Sequence, residues 1–141
     1  MNIQSTLELK TVEGTGLRFE ARFGTSPHTI TYDSGPDATA ANPVLNLVGA
    51  LAACHAMDVI SILRKKRLEV TAYTVAVEAE RAETHPKRLT SVTMVHRVTG
   101  RAVPLAAVEE AVRLSEERYC SVHHTLDPAL PTSSRCEVIE A

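Results

Sequence analysis

Cys54 and Cys120 are the residues of this chain best suited to covalent chemistry. A thiolate is a nucleophile, a metal ligand and a redox group at once. Cys54 lies inside Ala52-Ala53-Cys54-His55-Ala56-Met57, within an apolar stretch of helical character. A lone cysteine in such a setting reads first as packing. It gains chemical meaning only if a second thiol reaches it. Cys120 opens Cys120-Ser121-Val122-His123-His124, just after an expected helix and before a polar segment. That position belongs at a surface or a cleft, where the two thiols can meet in space. Cys120-x-x-His123 offers two zinc ligands, but no second spaced pair accompanies it, so no metal site is expected. A Cys–His hydrolase needs its histidine placed by the fold. Cys54 and His55, adjacent on a helix, point about 100° apart. His28, His85 and His96 fall in turn or strand settings and read as solvated or structural.

The elements around the thiols are legible from periodicity. Residues 5–23 are strand-like, with Leu17, Phe19, Ala21 and Phe23 alternating with Arg18, Glu20 and Arg22. Gly14-Thr15-Gly16 reads as a hairpin turn. His28 to Tyr32 predicts a third short strand, and Asp33 to Asn42 a polar loop. Asn42-Pro43 opens a long helix, with Asn as its cap and Pro at its first position. The helix is expected to run to about Arg67, where Arg64-Lys65-Lys66-Arg67 suits the negative end of the dipole. Val70 to Glu80 and Leu89 to Val98 read as strands around a charged loop containing Pro86. A second helix follows Pro104, with Leu105, Val108, Val112 and Tyr119 at 3–4 spacing. Glu109–Arg113 and Arg113–Glu117 are supporting pairs on it. Cys120 is expected at its C-terminal end, and Cys136 to Ile139 as a closing strand. The order β-β-β-α-β-β-α-β predicts an α+β fold.

Composition narrows the rest. With 141 residues, the chain is expected to form a single domain, residues 1–141. Aromatics are 4% and Trp is absent, so the core must be built from aliphatic residues. A net charge of −2 argues against a nucleic-acid partner. The first twenty residues hold no apolar leader, which points to a reducing, cytoplasmic setting without structural disulfides. Three cysteines also fit a permanent framework poorly, and Cys136 reads as structural. Val44 to Leu63 is long enough for a membrane span. Asn46, His55 and Asp58 interrupt it, so it reads as a buried helix of a soluble domain, with no membrane partner.

Two segments carry a resemblance. ALAACHAMDVISILRKKR (Ala50 to Arg67) resembles the central helix of the OsmC/Ohr family of thiol peroxidases. RYCSVHHTL (Arg118 to Leu126) resembles the segment around that family's second cysteine. The Asn42-Pro43 helix start and the element order match too. Asp58-Val59 and the Leu63 to Arg67 ending look most like the OsmC-like branch. The resemblance implies antiparallel sheets with two helices, a long central buried helix and an intertwined homodimer with active sites at the subunit interface. It also implies cofactor-free reduction of organic hydroperoxides in stress defence, regenerated by an external dithiol, a lipoyl-type carrier being one candidate. By motif match Cys54 would be the peroxidatic thiol and Cys120 the resolving one.

The residue physics can be set beside those roles. A mid-helix thiol gains nothing from a helix N-terminus, and burial disfavours its anion, so it needs a nearby cation. The family supplies an Arg from the N-terminal strand region, and Arg18 and Arg22 both qualify here. A thiol at a helix C-terminus, as expected for Cys120, is held back from ionising, which suits resolution better than attack. One departure stands out. Many relatives carry a Glu just after the helix-opening Pro, whereas this chain has Val44, Leu45 and Asn46. Either Glu20 holds the arginine instead, or the scaffold serves as a non-catalytic small-ligand-binding or redox-sensing stress protein. Met57 is expected in the core or lining the pocket.

Overall fold

A computed structural model of the chain describes residues 1–10 and 14–141. The chain, expected as one domain, divides into two compact units, Met1–Leu47 and Val48–Ala141.

In the first unit, β1 (Ser5–Leu9), β2 (Phe19–Phe23) and β3 (Thr29–Tyr32) form an antiparallel sheet in that order. Ser5 pairs with Phe23, and Phe19 pairs with both Leu9 and Tyr32. Of the strand-like stretch 5–23, residues 11–13 lie outside the described residues. Gly14 and Gly16 both take positive φ at the expected turn, a conformation glycine adopts without steric cost. The loop after β3 is organised by Asp33. Its carboxylate accepts from Thr15 Oγ1 at 2.5 Å, Ser34 N at 2.8 Å and Thr39 N at 3.0 Å. These bonds, the Thr15 hydroxyl foremost, hold the Asp33 carboxyl down to about 2. The loop delivers the chain to α1 (Pro43–Lys65), capped as expected by Asn42, whose Oδ1 accepts from Leu45 N at 2.9 Å.

In the second unit, β4 (Glu69–Arg81), β5 (Leu89–Arg101) and β6 (Thr132–Glu140) form a sheet in that order. β4 and β5 are an antiparallel hairpin, but β6 runs parallel to β5, pairing Val92 with Thr132 and Gly100 with Glu140. This corrects the expectation of antiparallel sheets throughout. A parallel return needs a long crossover, and the chain supplies one in α2 (Leu105–Leu114), a π-helical turn (Ser115–Tyr119) and α3 (Ser121–Thr125). The helix expected through Tyr119 is therefore interrupted, and a third short helix follows it. The wider π turn shifts the helical phase. Ser115 is buried while Tyr119 is left 49% exposed.

Two periodicities build the core of this unit. On α1 every fourth residue, Leu51, His55, Val59 and Leu63, is buried. On β5 every second residue, Val92, Met94, His96, Val98 and Gly100, is buried. Val59, Leu63 and Val98 join Val103, Val108, Ala111 and Val112 in one apolar cluster. Leu51, Val92, Met94 and Cys120 form another. His55 and His96 fall between the two clusters along both elements. The burial of α1 is confined to its stripe: Leu45 is 59% and Met57 69% exposed, so Met57 is not a core residue.

Candidate active site

The thiol site is assembled from three pieces of the second unit. Cys54 and Asp58 are one turn apart on α1 and therefore share a face. Cys120 sits at the junction of the π turn and α3. The Sγ atoms of Cys54 and Cys120 and a carboxylate oxygen of Asp58 all lie within 4.8 Å of one another. Cys54 and Asp58 are partly exposed, while Cys120 is fully buried. All three cysteines are free thiols.

The expectation that Cys120 is simply a helix C-terminal residue needs revising. It ends the π turn, its N–H reaching Ser115 O at 2.9 Å, and it also caps α3. Its Sγ accepts from the His123 backbone N–H at 3.3 Å. Burial pushes the Cys120 thiol up to about 11, helped by Cys54 and Asp58 and opposed by that N–H. At neutral pH Cys120 is thus a protonated thiol waiting beside a more accessible one.

Asp58 and Ser115 were not singled out for chemistry from the sequence. Ser115 Oγ donates to Asp58 Oδ2 at 2.8 Å, across 57 residues of chain. The i,i+4 spacing of Cys54 and Asp58 was a usable signal; nothing local marked Ser115. The trio Cys54, Asp58 and Cys120 also offers donors suited to a soft divalent ion. His123, spaced to offer a ligand beside Cys120, is not among them. His123 Nδ1 instead shares a 3.0 Å hydrogen bond with His55 Nε2.

Behind the thiols lies a layer of buried polar rings. Tyr73 Oη bonds His96 Nδ1 at 2.7 Å, and the ring centroids of His55 and His96 are 6.2 Å apart. Burial holds His55 down to about 4, with His123 and His96 adding to the effect, and burial likewise holds His96 down to about 4. Both imidazoles are neutral at pH 7. Cys136 pairs with His96 across β5 and β6 and packs against the larger apolar cluster. Burial, then Glu109 and Glu116, pushes its thiol up to about 11.

Arg18 and Arg22 belong to the first unit. Arg18 immediately precedes β2, its carbonyl accepting from Lys10 N at 2.9 Å, and its side chain is exposed. Arg22 lies in β2 and donates to Glu20 at 3.1 Å. Glu20, raised above as a substitute for the family carboxylate, is the acceptor of that bond and also lies 3.8 Å from Lys10 Nζ. At the start of α1, Asn46 Nδ2 donates to the carbonyls of Ala41 and Asn42, each at 3.0 Å. The helix's first turn contains no acid.

By length and composition α1 could cross a membrane. Its central polar residues are committed inside the unit instead, His55 to His123 and Asp58 to Ser115.

Comparison with known proteins bears on the family and the fold. The family described as "OsmC-like protein" matches residues 35–135. Protein YhfA of Escherichia coli K12 is 37% identical over 133 residues, covering 94% of this chain and 97% of that protein. The crystal structure of an OsmC-like protein from Mycoplasma pneumoniae superposes with a TM-score of 0.77 at 17% identity, covering 100% of this chain and 98% of that one. A structure from Legionella pneumophila, named an organic hydroperoxide resistance protein, superposes with a TM-score of 0.70 at 12% identity, covering 98% of each. At those identities the two structures speak to the fold alone.

Proposed function

The chain belongs to the OsmC-like family, and from that footing we propose that it is a cofactor-free thiol peroxidase acting on organic hydroperoxides. The observation that carries the reading is the pairing of a partly exposed Cys54 with a buried Cys120 within 4.8 Å. The Cys54 thiolate attacks the distal peroxide oxygen. The O–O bond breaks, and the alkoxide leaves as an alcohol after taking one proton. Cys54 is then a sulfenic acid. The Cys120 thiol condenses with it, releasing water and forming a disulfide. An external dithiol, a lipoyl-type carrier by our reading, is oxidised to its own disulfide and restores both thiols. Arg22, held by Glu20, or Arg18 supplies the positive charge that favours the Cys54 thiolate.

Two further elements belong to this proposal. The protein acts in the cytoplasm, in stress defence. It works as a homodimer, because α1 leaves Leu45 and Met57 exposed and a second copy would cover them.

Stopped-flow mixing of the reduced protein with cumene hydroperoxide and with hydrogen peroxide tests the proposal. We expect faster consumption of the organic peroxide and loss of two thiols per chain as one disulfide. Unchanged thiols after excess cumene hydroperoxide would overturn it in favour of a binding protein on the same scaffold.

A further inference from the structure

The hydrogen-bonding of the buried ring layer is unfinished in a directional way. His55 Nδ1 and His96 Nε2 are both fully buried, and neither has a hydrogen-bond partner among the described residues. A buried polar group without a partner is costly, and the chain keeps two in one layer. They sit on the inward stripes of α1 and β5, between two aliphatic clusters. No surface contact can reach either nitrogen.

Each neutral imidazole carries one N–H and one bare nitrogen. Tyr73 is half-buried and burial pushes its phenol up, so it keeps its proton, and in one of the two tautomers that the 2.7 Å bond allows it donates that proton to His96 Nδ1. His96 must then carry its own proton on Nε2, the unpartnered atom. At the other end, His55 Nε2 bonds His123 Nδ1. If His55 carries its proton on Nε2, its Nδ1 is a bare acceptor. The layer then offers one free donor and one free acceptor, on rings whose centroids are 6.2 Å apart. A single water making two hydrogen bonds of about 2.8 Å joins nitrogens up to about 5.6 Å apart.

We propose that His55 Nδ1 and His96 Nε2 bind one water molecule, closing a one-way chain Tyr73–His96–water–His55–His123. The water accepts from His96 Nε2–H and donates to His55 Nδ1. His55 Nε2–H then donates to His123 Nδ1, which fixes the His123 proton on Nε2. His55 is a positioning residue: it holds the His123 ring beside the turn whose backbone N–H meets Cys120 Sγ. The chain presents an N–H donor, not a bare nitrogen, at the outer end of the layer. Its role in peroxide chemistry rests on the function proposed above, but the water site and the tautomers do not.

The test separates the two. A crystal structure at high resolution is expected to show one ordered water within about 3.2 Å of both nitrogens. Long-range proton–nitrogen correlation spectra of histidine-labelled protein at pH 7 are expected to show His55, His96 and His123 all protonated on Nε2. A dry gap, a direct His55–His96 bond, or an Nδ1–H tautomer at any of the three would overturn the proposal. His96→Phe removes the donor and keeps the ring volume. It also takes the partner from Tyr73 Oη, so it is expected to lower the unfolding midpoint while mixing the His123 tautomers. His123 tautomers unmoved by that substitution would likewise overturn it. A correct water and correct tautomers in a protein that consumes no peroxide would sink the function and leave this site standing.

Discussion

At the residue scale the two thiols differ in access, Cys54 partly exposed and Cys120 buried, and the difference has consequences. Cys54→Ser is nearly isosteric, so the fold should survive while peroxide turnover falls by roughly 10³-fold or more. Circular dichroism and a coupled peroxidase assay check both halves. In Cys120→Ser the first step should persist and the cycle should stall, leaving an adduct of about 16 Da on Cys54 by mass spectrometry, because a single oxygen is retained as sulfenic acid. The arginine prediction concerns the same thiol. Arg22→Ala and Arg18→Ala should be compared in a Cys120→Ser, Cys136→Ser background by iodoacetamide alkylation. The variant that removes the working cation should alkylate more slowly at pH 7, and the deficit should shrink as pH rises, since alkali restores thiolate. Lys at that position should rescue only part of the rate, because it lacks the planar guanidinium fork. Two flat profiles would remove arginine from the mechanism.

At the element scale the more constrained of the second unit's two glycines is Gly100, near the end of β5. A Cβ there would stand 2.2 Å from Glu69 O and 2.7 Å from Val103 Cγ2. The first of those atoms is backbone and cannot swing aside. Gly100→Ala should therefore destabilise the protein by about 1–3 kcal/mol. A urea midpoint lowered at unchanged slope is the expected signature. A variant as stable as the parent would mean that β4 and β5 do not approach as closely as described. The periodicities of α1 and β5 were readable in advance because each reports only which side of its own element is apolar. The π turn was not, since Ser115-Glu116-Glu117 looks like an ordinary continuation of the helix. The shift appears only where Ser115 turns inward to Asp58.

At the scale of the whole molecule, acid stability and assembly are the measurable properties. His55 and His96 sit at about 4 when folded, against an ordinary 6.5. Above pH 6.5 both are neutral in either state and their stabilising effect is fully present. Between 6.5 and about 4 the unfolded chain binds protons that the folded one refuses, so stability falls as pH drops. Each imidazole contributes at most about 1.4 kcal/mol per pH unit across that window. The Asp33 carboxylate, held at about 2, adds a further loss only below the ordinary value of 3.8. Denaturant midpoints measured from pH 7.5 to 4.0 should decline accordingly, and His55→Phe/His96→Phe should flatten the decline. Light scattering at micromolar concentration should give a mass near twice 15.3 kDa. A monomer would count against an active site shared between subunits.

The sequence alone determined the local grammar. The Asn42 cap, the four-residue stripe of α1, the alternation of β5 and the two cysteine segments all follow from interactions within a few residues. It also carried the family, because the cysteine segments keep their order and spacing. Only tertiary structure decided what those faces meet. Asp58 finds Ser115 across 57 residues, and His55 finds His123 across 68. The crossover turns β6 parallel, and burial sets the charge states of Cys120, His55 and His96. The physical reason is the same in each case. Periodicity tells which side of an element avoids water, but the partner of a buried polar group, and the dielectric it experiences, exist only once distant elements have packed.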